Sequence, residues 1–597
     1  MDTVTNNQAI KGGEFLMRET EARDVFIPES FSEEQQMMAD ACRDFAEAEI
    51  YPHVDRMDSL EEGFMSSLLE KAGELGLLAI TVPEEYGGLG MSFNTSMLIA
   101  DALGPTGSFS TAYGAHTGIG TLPIQYYGSE AQKARYLPKL GSGEWKASYC
   151  LTEPDSGSDA NSGKTKAVLN EAGTHYLITG QKMWISNAGF AHVFIVFAKI
   201  EDDKNLTAFI VEKDFGGITM NDEEKKMGIK GSSTRQVFFN ETPVPVENML
   251  SDRGNGFKIA VNILNIGRIK LGVGAVGGAK AVAALAVRYA NERIQFGQPI
   301  ANFGAIQHKL AEMAIKTYAS EAACYRAGQN IEDKINELVA NGLSKENAIL
   351  KGLEQFAIEC AILKVHGSEI LDFVVDEGVQ VYGGMGFSAE APMERAYRDA
   401  RITRIYEGTN EINRMLIVGM ILKRAMTGEL NLMGPAMAVF KELTSLPDFG
   451  GDDTRLFAPE KKIIANLKKG LLMVAGKAAQ DLGGKLNDEQ EILMNLADMA
   501  IEIYAAESAL LRSEKLVTMR GEAESQHQIN LAKVYIYEAT DVVYRAGKEA
   551  IAAFAKDDDQ SMLLMGLKRF TQARLVNTKA LRREIAGYMI EKNGYPF

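Results

Sequence analysis

Cysteine is scarce. Cys42, Cys150, Cys324 and Cys360 are the only four in 597 residues, and no two form a CxxC pair. A disulfide framework and a zinc ribbon are thereby set aside, and a reducing compartment fits. The seven histidines make no HExxH, so no metal is expected. No apolar run approaches the ~18 residues that a membrane-spanning helix needs. The opening residues, MDTVTNNQAIKGGEF, have no basic stretch followed by an apolar one, so they are not a secretory signal. A cytoplasmic protein is expected. Positive charge is in deficit: the net charge is −17. That sets nucleic acid aside as a main partner, because neutralising phosphates needs a basic surface.

What remains is an ordinary globular composition, 46% hydrophobic and 24% charged, on a chain too long for one core. Residues 1–27 are polar and contain glycine, and loose order is expected there. From Phe31 to about Gly141 helical spacing dominates. Ser32 opens the first helix as an N-cap with acids behind it, and Pro52 follows its end. Near Tyr149 the pattern changes. HVFIVFAKI, NLTAFIVEK and STRQVFFNETPVP are short, rich in β-branched and aromatic residues, and bounded by turn formers. They read as strands of a mostly antiparallel sheet ending near Asn255. Helical spacing returns from Gly256 to about Arg424. Met433–Glu460, with its Gly, Pro and acidic GGDD, reads as a linker. Beyond it Ile464, Leu467, Leu471 and Val474 share one helix face. The expected fold is mainly α with a central β domain. Its parts are a flexible N-terminus (1–27), a helical domain (28–148), the β domain (149–260), a second helical domain (261–430), a linker (431–460) and a C-terminal helical domain (461–597).

Several short stretches could carry chemistry. GVGAVGG, Gly272 to Gly278, spells the dinucleotide fingerprint, yet the residues before it are helical in period. That mechanism needs a strand ending at the first glycine, so close helix packing explains the glycines better. YCLTEPDSGSDANSGKTKA, Tyr149 to Ala167, joins the helical block to the sheet. It can present hydroxyl and backbone N–H donors to a phosphate or a ring edge, or it is a polar loop of side-chain turns. QKMWISNAG holds Trp184 beside Ser186: a core tryptophan, or a planar wall for a ring cofactor. NERIQFGQPI places Arg293 and Phe296 where a helix gives way to a loop. There the arginine is a surface residue or a phosphate ligand. RIYEGTNEIN sets one carboxylate, Glu407, between Tyr406 and Gly408. Gly408 can end an element, and Thr409 can cap the next helix with Glu411 in its first turn, which alone accounts for the segment.

Taken together, the order YCLTEPDSGSD, KMWISN, LNIGR, ERIQFG, QVYGGMGF and RIYEGTNEI resembles the acyl-CoA dehydrogenases. The resemblance covers roughly Phe31 to Ala425. The added C-terminal helices make the chain most similar to the very-long-chain subgroup. The resemblance implies a helical domain, a β-barrel-like domain and a four-helix domain, with FAD at their junction and across a subunit boundary. It implies that Tyr149, Leu151 and Thr152 line the flavin, and that Trp184, Ile185 and Ser186 wall its ring. Gly157 and Ser158 would reach toward the phosphates and the acyl-CoA. Arg293 and Phe296 would hold the dinucleotide part, from the neighbouring subunit, and so would Gln380, Gly383 and Gly384. Thr409 and Glu411 would complete the flavin site, and Asn265, Arg268 and Gly408 would serve the substrate.

The resemblance also gives Glu407 a role. The family oxidises an acyl-CoA thioester to the trans-2-enoyl-CoA, and a base takes an α-proton as the β-hydrogen leaves as hydride. A carboxylate in a dry pocket, its pKa raised toward working pH, suits that task. Some members seat the base immediately before the arginine matching Arg268. Here that residue is Gly267, which leaves Glu407 as the matching candidate. Two departures stand out. Asn265 replaces an Asp of many members, and Phe303-Gly304 replaces an FQ pair, so one adenine-side contact is in doubt, with Gln307 a weak substitute. In AYGAHTGIGT, Gly118, Gly120 and Thr121 are small and would permit a deep, apolar pocket for long chains. Electron-transfer flavoprotein is the expected acceptor. An acyl-CoA oxidase and a non-catalytic assembly protein on this fold are the competing readings. A homodimer, with membrane contact at most weak and peripheral, completes the expectation.

Overall fold

The computed structural model describes residues 10–443 and 455–597. The main helices are α1 (Glu33–Phe45), α2 (Phe93–Leu103), α3 (Gly256–Glu292), α4 (Gly304–Ala340), α5 (Ala357–Tyr382), α6 (Asn410–Met426), α7 (Met433–Leu443), α8 (Ala458–Leu482), α9 (Gln490–Arg520), α10 (Gln526–Phe554), α11 (Asp557–Phe570) and α12 (Thr578–Lys592). Ser32 starts α1 with a full capping box: its hydroxyl accepts from the Gln35 N–H, and the Gln35 side chain takes the Ser32 N–H.

The central sheet contains β1 (Ala147–Cys150), β2 (Lys166–Leu169), β3 (His175–Ser186), β4 (Val193–Ile200), β5 (Thr207–Glu212), β6 (Ile218–Met220), β7 (Thr234–Pro245) and β8 (Met249–Leu250). Its order is β6-β7-β3-β2-β4-β5-β8, with β1 also on β4. Pairing is antiparallel except where β4 meets β1 and β2. β4 is buried along almost its whole length, which is why VFIVFAKI reads as an unbroken apolar run rather than an alternating one. β3 loses register with β7 between Lys182 and Ile185. That irregularity holds Trp184.

GVGAVGG lies inside α3, as its helical context predicts, and its glycines are packing devices. A Cβ on Gly277 would fall 2.0 Å from the Asp101 carbonyl oxygen, and one on Gly272 would fall 2.6 Å from that of Leu363. α2 and α5 therefore approach α3 closely. The expectation that nothing here resembles a membrane span needs correcting, because α3 is apolar and long enough by composition. Yet 61% of that stretch is buried within the protein, as in a core helix.

Two other expectations fail. The stretch before Pro28 is not loose where it is described. Phe15 and Leu16 are buried, the Gly13 N–H donates to Glu359 (2.7 Å), and the Gly12 carbonyl accepts from Arg424. Two apolar side chains anchor a segment whose composition looks polar. The start of the expected linker is the helix α7, whose Val439 is buried. The glycine and proline at its start are tolerated in a first turn. The GGDD run lies outside the described residues. The C-terminal helices α8, α9 and α10 pack together, and α12 returns against α4. Ile464, Leu467, Leu471 and Val474 are buried, as their shared face predicts. Phe15 packs edge-on against Tyr504, so this domain joins the main core.

Candidate active site

Glu407 follows a short helical turn, Arg401–Arg404, and precedes α6. Its φ is +58° and that of Gly408 is +82°. Two successive left-handed residues reverse the chain sharply, and for a non-glycine residue that conformation costs about 1–2 kcal/mol. Several contacts hold it. Arg268 Nε donates to the Glu407 carbonyl (3.2 Å), and Asn413 Nδ2 donates to the carbonyls of Gly408 (2.9 Å) and Thr409 (3.0 Å). Thr409 caps α6 by accepting from the Ile412 N–H, and Glu411 sits exposed in the first turn.

The Glu407 carboxyl projects into a cavity of about 740 Å³. Its Oε2 is buried with no hydrogen-bond partner. Burial pushes its pKa up to about 7, against the opposing pull of Arg268 and Lys364. Part of the residue stays accessible from the cavity, but the protein around it is dense enough for desolvation to dominate. Among the described residues no acceptor takes the Glu407 N–H. Gly267 lies directly opposite: a Cβ there would sit 2.6 Å from Oε2. Gly267, the position at which the resemblance offers an alternative base, therefore faces the same point in space as the Glu407 carboxyl.

Asn265 and Arg268, expected at the substrate, bond to each other beside Glu407. Asn265 Oδ1 accepts from Arg268 Nη1 (2.9 Å), and both are buried behind Glu407 rather than in the cavity wall. Burial lowers the Arg268 pKa, while the nearby Glu407 charge raises it.

The cavity runs along α3 from Ile263 to Arg288, roughly 37 Å of helix. Tyr113, Gly114, Thr117, Gly118 and Ile119 form its floor, and Ser186 from β3 reaches its edge. The three small floor residues of the sequence divide. Gly118 lines the cavity and a Cβ on it meets nothing. Gly120 instead makes room for β1, since its Cβ would lie 2.7 Å from that of Ala147. Thr121 is buried away from the cavity and donates to the His116 carbonyl. His116 fixes this floor: Nδ1 accepts from the Ala147 N–H (3.1 Å) and Nε2 donates to the Leu140 carbonyl (2.9 Å). Burial lowers its pKa to about 4, so it stays neutral in that role.

The loop after β1 borders the same region. Tyr149 is buried, its ring stands edge-on to Phe197, and its hydroxyl has no partner. Burial and the Glu407 charge both raise its pKa. Leu151 is buried, and its carbonyl accepts from Lys182 Nζ; the Thr152 carbonyl accepts from the Met183 N–H (2.9 Å). The loop is pinned by a buried Lys182–Glu153 ion pair of 2.7 Å. Gly157 and Ser158 are exposed beyond it, and a Cβ on Gly157 meets nothing. Trp184 has φ +60° and is 53% exposed, so it is not the core tryptophan that composition favours; Ile185 beside it is buried.

Arg293 to Pro299 form a tight hairpin whose tip, Phe296, is 93% exposed with φ +50°. Gln380, Gly383 and Gly384 are exposed at the end of α5, with open space beside both glycines. These residues sit apart from Glu407, on the protein's outside. The Phe303-Gly304 departure has a local explanation: a Cβ on Gly304 would lie 2.8 Å from Arg583 Nη2 of α12. A side chain from the added domain fills the space, and no sequence motif announces it.

Among the described residues no His, Cys, Asp and Glu cluster could hold a metal. Four family models match in the same order as the structural parts. They are the acyl-CoA dehydrogenase N-terminal domain over 32–144, the middle domain over 148–242, the C-terminal domain over 254–422, and a further acyl-CoA dehydrogenase C-terminal domain over 466–569. The chain belongs to the acyl-CoA dehydrogenase family. Within it, the "Probable acyl-CoA dehydrogenase" of Bacillus subtilis (strain 168) is 46% identical over 586 residues, 98% of each chain. The very long-chain specific acyl-CoA dehydrogenase of Homo sapiens is 36% identical across 92% of this chain and 84% of that one. A crystal structure of an acyl-CoA dehydrogenase complexed with FAD from Bacillus anthracis superposes with TM-score 0.96 at 47% identity, covering 99% of this chain and all of that one. Butyryl-CoA dehydrogenase from Megasphaera elsdenii matches 66% of this chain and 99% of its own, with TM-score 0.60 and 34% identity. The acyl-CoA dehydrogenase fold expected from the motifs, with its extra C-terminal helices, is the fold observed.

Proposed function

We propose that this acyl-CoA dehydrogenase binds FAD and oxidises long-chain acyl-CoA to trans-2-enoyl-CoA in fatty-acid β-oxidation, passing electrons to electron-transfer flavoprotein. The observation that carries the reading is Glu407: a buried carboxyl titrating near neutrality at the head of a long, largely apolar cavity. The residues fit the cofactor. Tyr149 and Glu407 keep buried oxygen atoms without partners, Trp184 offers an exposed ring on a strained backbone, and Gly157, Gly383 and Gly384 leave open space. Tyr149, Leu151, Thr152, Trp184, Ile185 and Ser186 would hold the flavin ring. Gly157, Ser158, Arg293, Phe296, Gln380, Gly383, Gly384, Thr409 and Glu411 would serve the rest. FAD, when bound, supplies the hydride acceptor.

The chain's own residues do the remainder. Ionised Glu407 takes the α-proton and keeps it, which its raised pKa favours. Its free N–H donates to the thioester oxygen and stabilises the charge that develops there. Arg268, locked by Asn265, holds the backbone that presents both groups. Burial of the carboxyl keeps it basic.

The open floor at Gly114 and Gly118 supports long chains. Exposed Phe296, Ile294, Met385 and Phe387 support a homodimer in which each subunit covers the other's hairpin face. Four buried, unpaired cysteines support a reducing, cytoplasmic setting. The test is an anaerobic absorbance spectrum of the purified protein before and after a long-chain acyl-CoA. Bleaching of the flavin band is expected. A bound flavin that no acyl-CoA bleaches refutes the reading. Peroxide formation on reoxidation by air, faster than transfer to electron-transfer flavoprotein, would make the enzyme an oxidase.

A further inference from the structure

Lys270 is chemically out of place. It stands on α3 one turn beyond Gly267 and lines the cavity. It also borders a small cleft with Leu77, Leu78, Ile80, Val82, Tyr113 and Thr117. Among the described residues it has no hydrogen bond and no ion pair. The nearby hydroxyls point their hydrogens elsewhere, Ser96 to the Phe93 carbonyl, Tyr113 to Leu77 and Thr117 to Tyr113, and none of them accepts from Lys270. Glu407 does not serve as its counter-ion, because the charges felt by that carboxyl are those of Arg268 and Lys364. Burial alone lowers the Lys270 ammonium to about 8, so it remains mostly charged at neutral pH.

A partly buried cation at a cavity wall with no ion-pair partner is poised to receive an anionic group that enters the cavity, and an apolar side chain of the same length would lack that attraction. The substrate cavity is the roomy space that opens onto Lys270, since the second cleft is too small for a carboxylate. We propose that Lys270 receives a carboxylate carried at the far end of the acyl chain, so that the enzyme accepts acyl-CoAs derived from dicarboxylic acids. This rests on the acyl-CoA dehydrogenase reading above. With the thioester held at Glu407, the chain passes Gly267 and reaches Lys270, whose Cα lies about 4.5 Å further along the helix. The matching chains are therefore shorter than the longest that the cavity admits toward Arg288.

The test compares three acyl-CoAs at each chain length of an increasing series: one ending in a methyl group, one in a carboxylate, and one in the methyl ester of that carboxylate. Wild type, K270M and K270R are assayed with FAD bound. At the best-fitting length the wild type should favour the carboxylate over its ester by about tenfold in kcat/KM. The gain should lie in KM, since the contact is remote from the reacting carbons. K270M should lose that preference and K270R keep part of it. Without substrate, K270M should melt above the wild type, because an unpaired charge has gone. No carboxylate preference at any length, or the same preference in K270M, overturns the proposal. So does a K270M protein that melts below the wild type, which would reveal a partner for the lysine. These failures differ from failure of the parent reading, in which the plain acyl-CoAs are not oxidised either.

Discussion

Glu407→Gln should separate catalysis from stability. The Glu407 carboxyl is raised from the usual 4.5 to about 7. That shift corresponds to about 3 kcal/mol of preference for the neutral form in the fold. A raised carboxyl pKa means that the folded chain holds the proton more tightly than the unfolded one. The stability contribution is therefore complete below about pH 4.5 and is lost as pH rises through about 7. Gln at 407 carries no charge at any pH. E407Q should thus match the wild type in acid and become more stable than it by up to about 3 kcal/mol above pH 8. Over the same range its turnover should fall by at least about a hundredfold, because a general base has been removed. Wild-type kcat/KM should rise with pH through about 7 as the carboxyl ionises. The assays are urea unfolding of both proteins at saturating FAD across pH, and anaerobic flavin bleaching at each pH. An E407Q protein that keeps activity within tenfold, or a stability difference that does not grow with pH, refutes the assignment of Glu407 as a buried base.

Gly118→Leu should shorten the accepted acyl chain while leaving short substrates oxidised, since a Cβ at Gly118 meets nothing and only the cavity floor is raised; kcat/KM across chain lengths checks it. G267E alone should be inactive, because its side chain would collide with Glu407, whereas G267E/E407G should regain flavin bleaching by acyl-CoA from the facing seat. K182M should leave Glu153 buried without its cation and destabilise the protein by about 3 kcal/mol, with weaker FAD retention; urea unfolding and flavin content report both.

The strands, the helical context of GVGAVGG and the Glu407–Gly267 exchange were all legible in the sequence, because each depends on neighbours along the chain or on ordered motifs. What was not legible depends on residues far apart. Gly118 and Gly120 look alike in AYGAHTGIGT, yet one faces the cavity and the other faces Ala147. Asn265 reads as a substrate residue, but its amide oxygen is taken by Arg268, a turn away on the same buried face. Composition alone leaves Trp184 as core or ring wall, and only the β-irregularity that turns it outward excludes the core. Lys270 is one charge in a helix and becomes anomalous only when the fold places it in the cavity wall with no hydrogen bond or ion pair. The helix over Met433–Leu443 was hidden by its Gly and Pro, whose positions in a first turn cost little.

The segment from Lys11 to Glu29 has a bearing on how the protein is made. It lies over residues of both helical regions: Gly13 meets Glu359, the Arg18 carbonyl takes Lys468, and Glu29 pairs with Arg512 at 2.8 Å. Glu29 and Arg512 are 483 positions apart. At a synthesis rate of about 5–20 residues per second, Glu29 waits roughly half a minute or longer for its partner. This segment can dock on Glu359 and Arg424 early, but it completes its contacts only when α8 and α9 have been made. A growing chain stalled before α9 should leave the face of Phe15 that meets Tyr504 open to solvent, and so to chaperones.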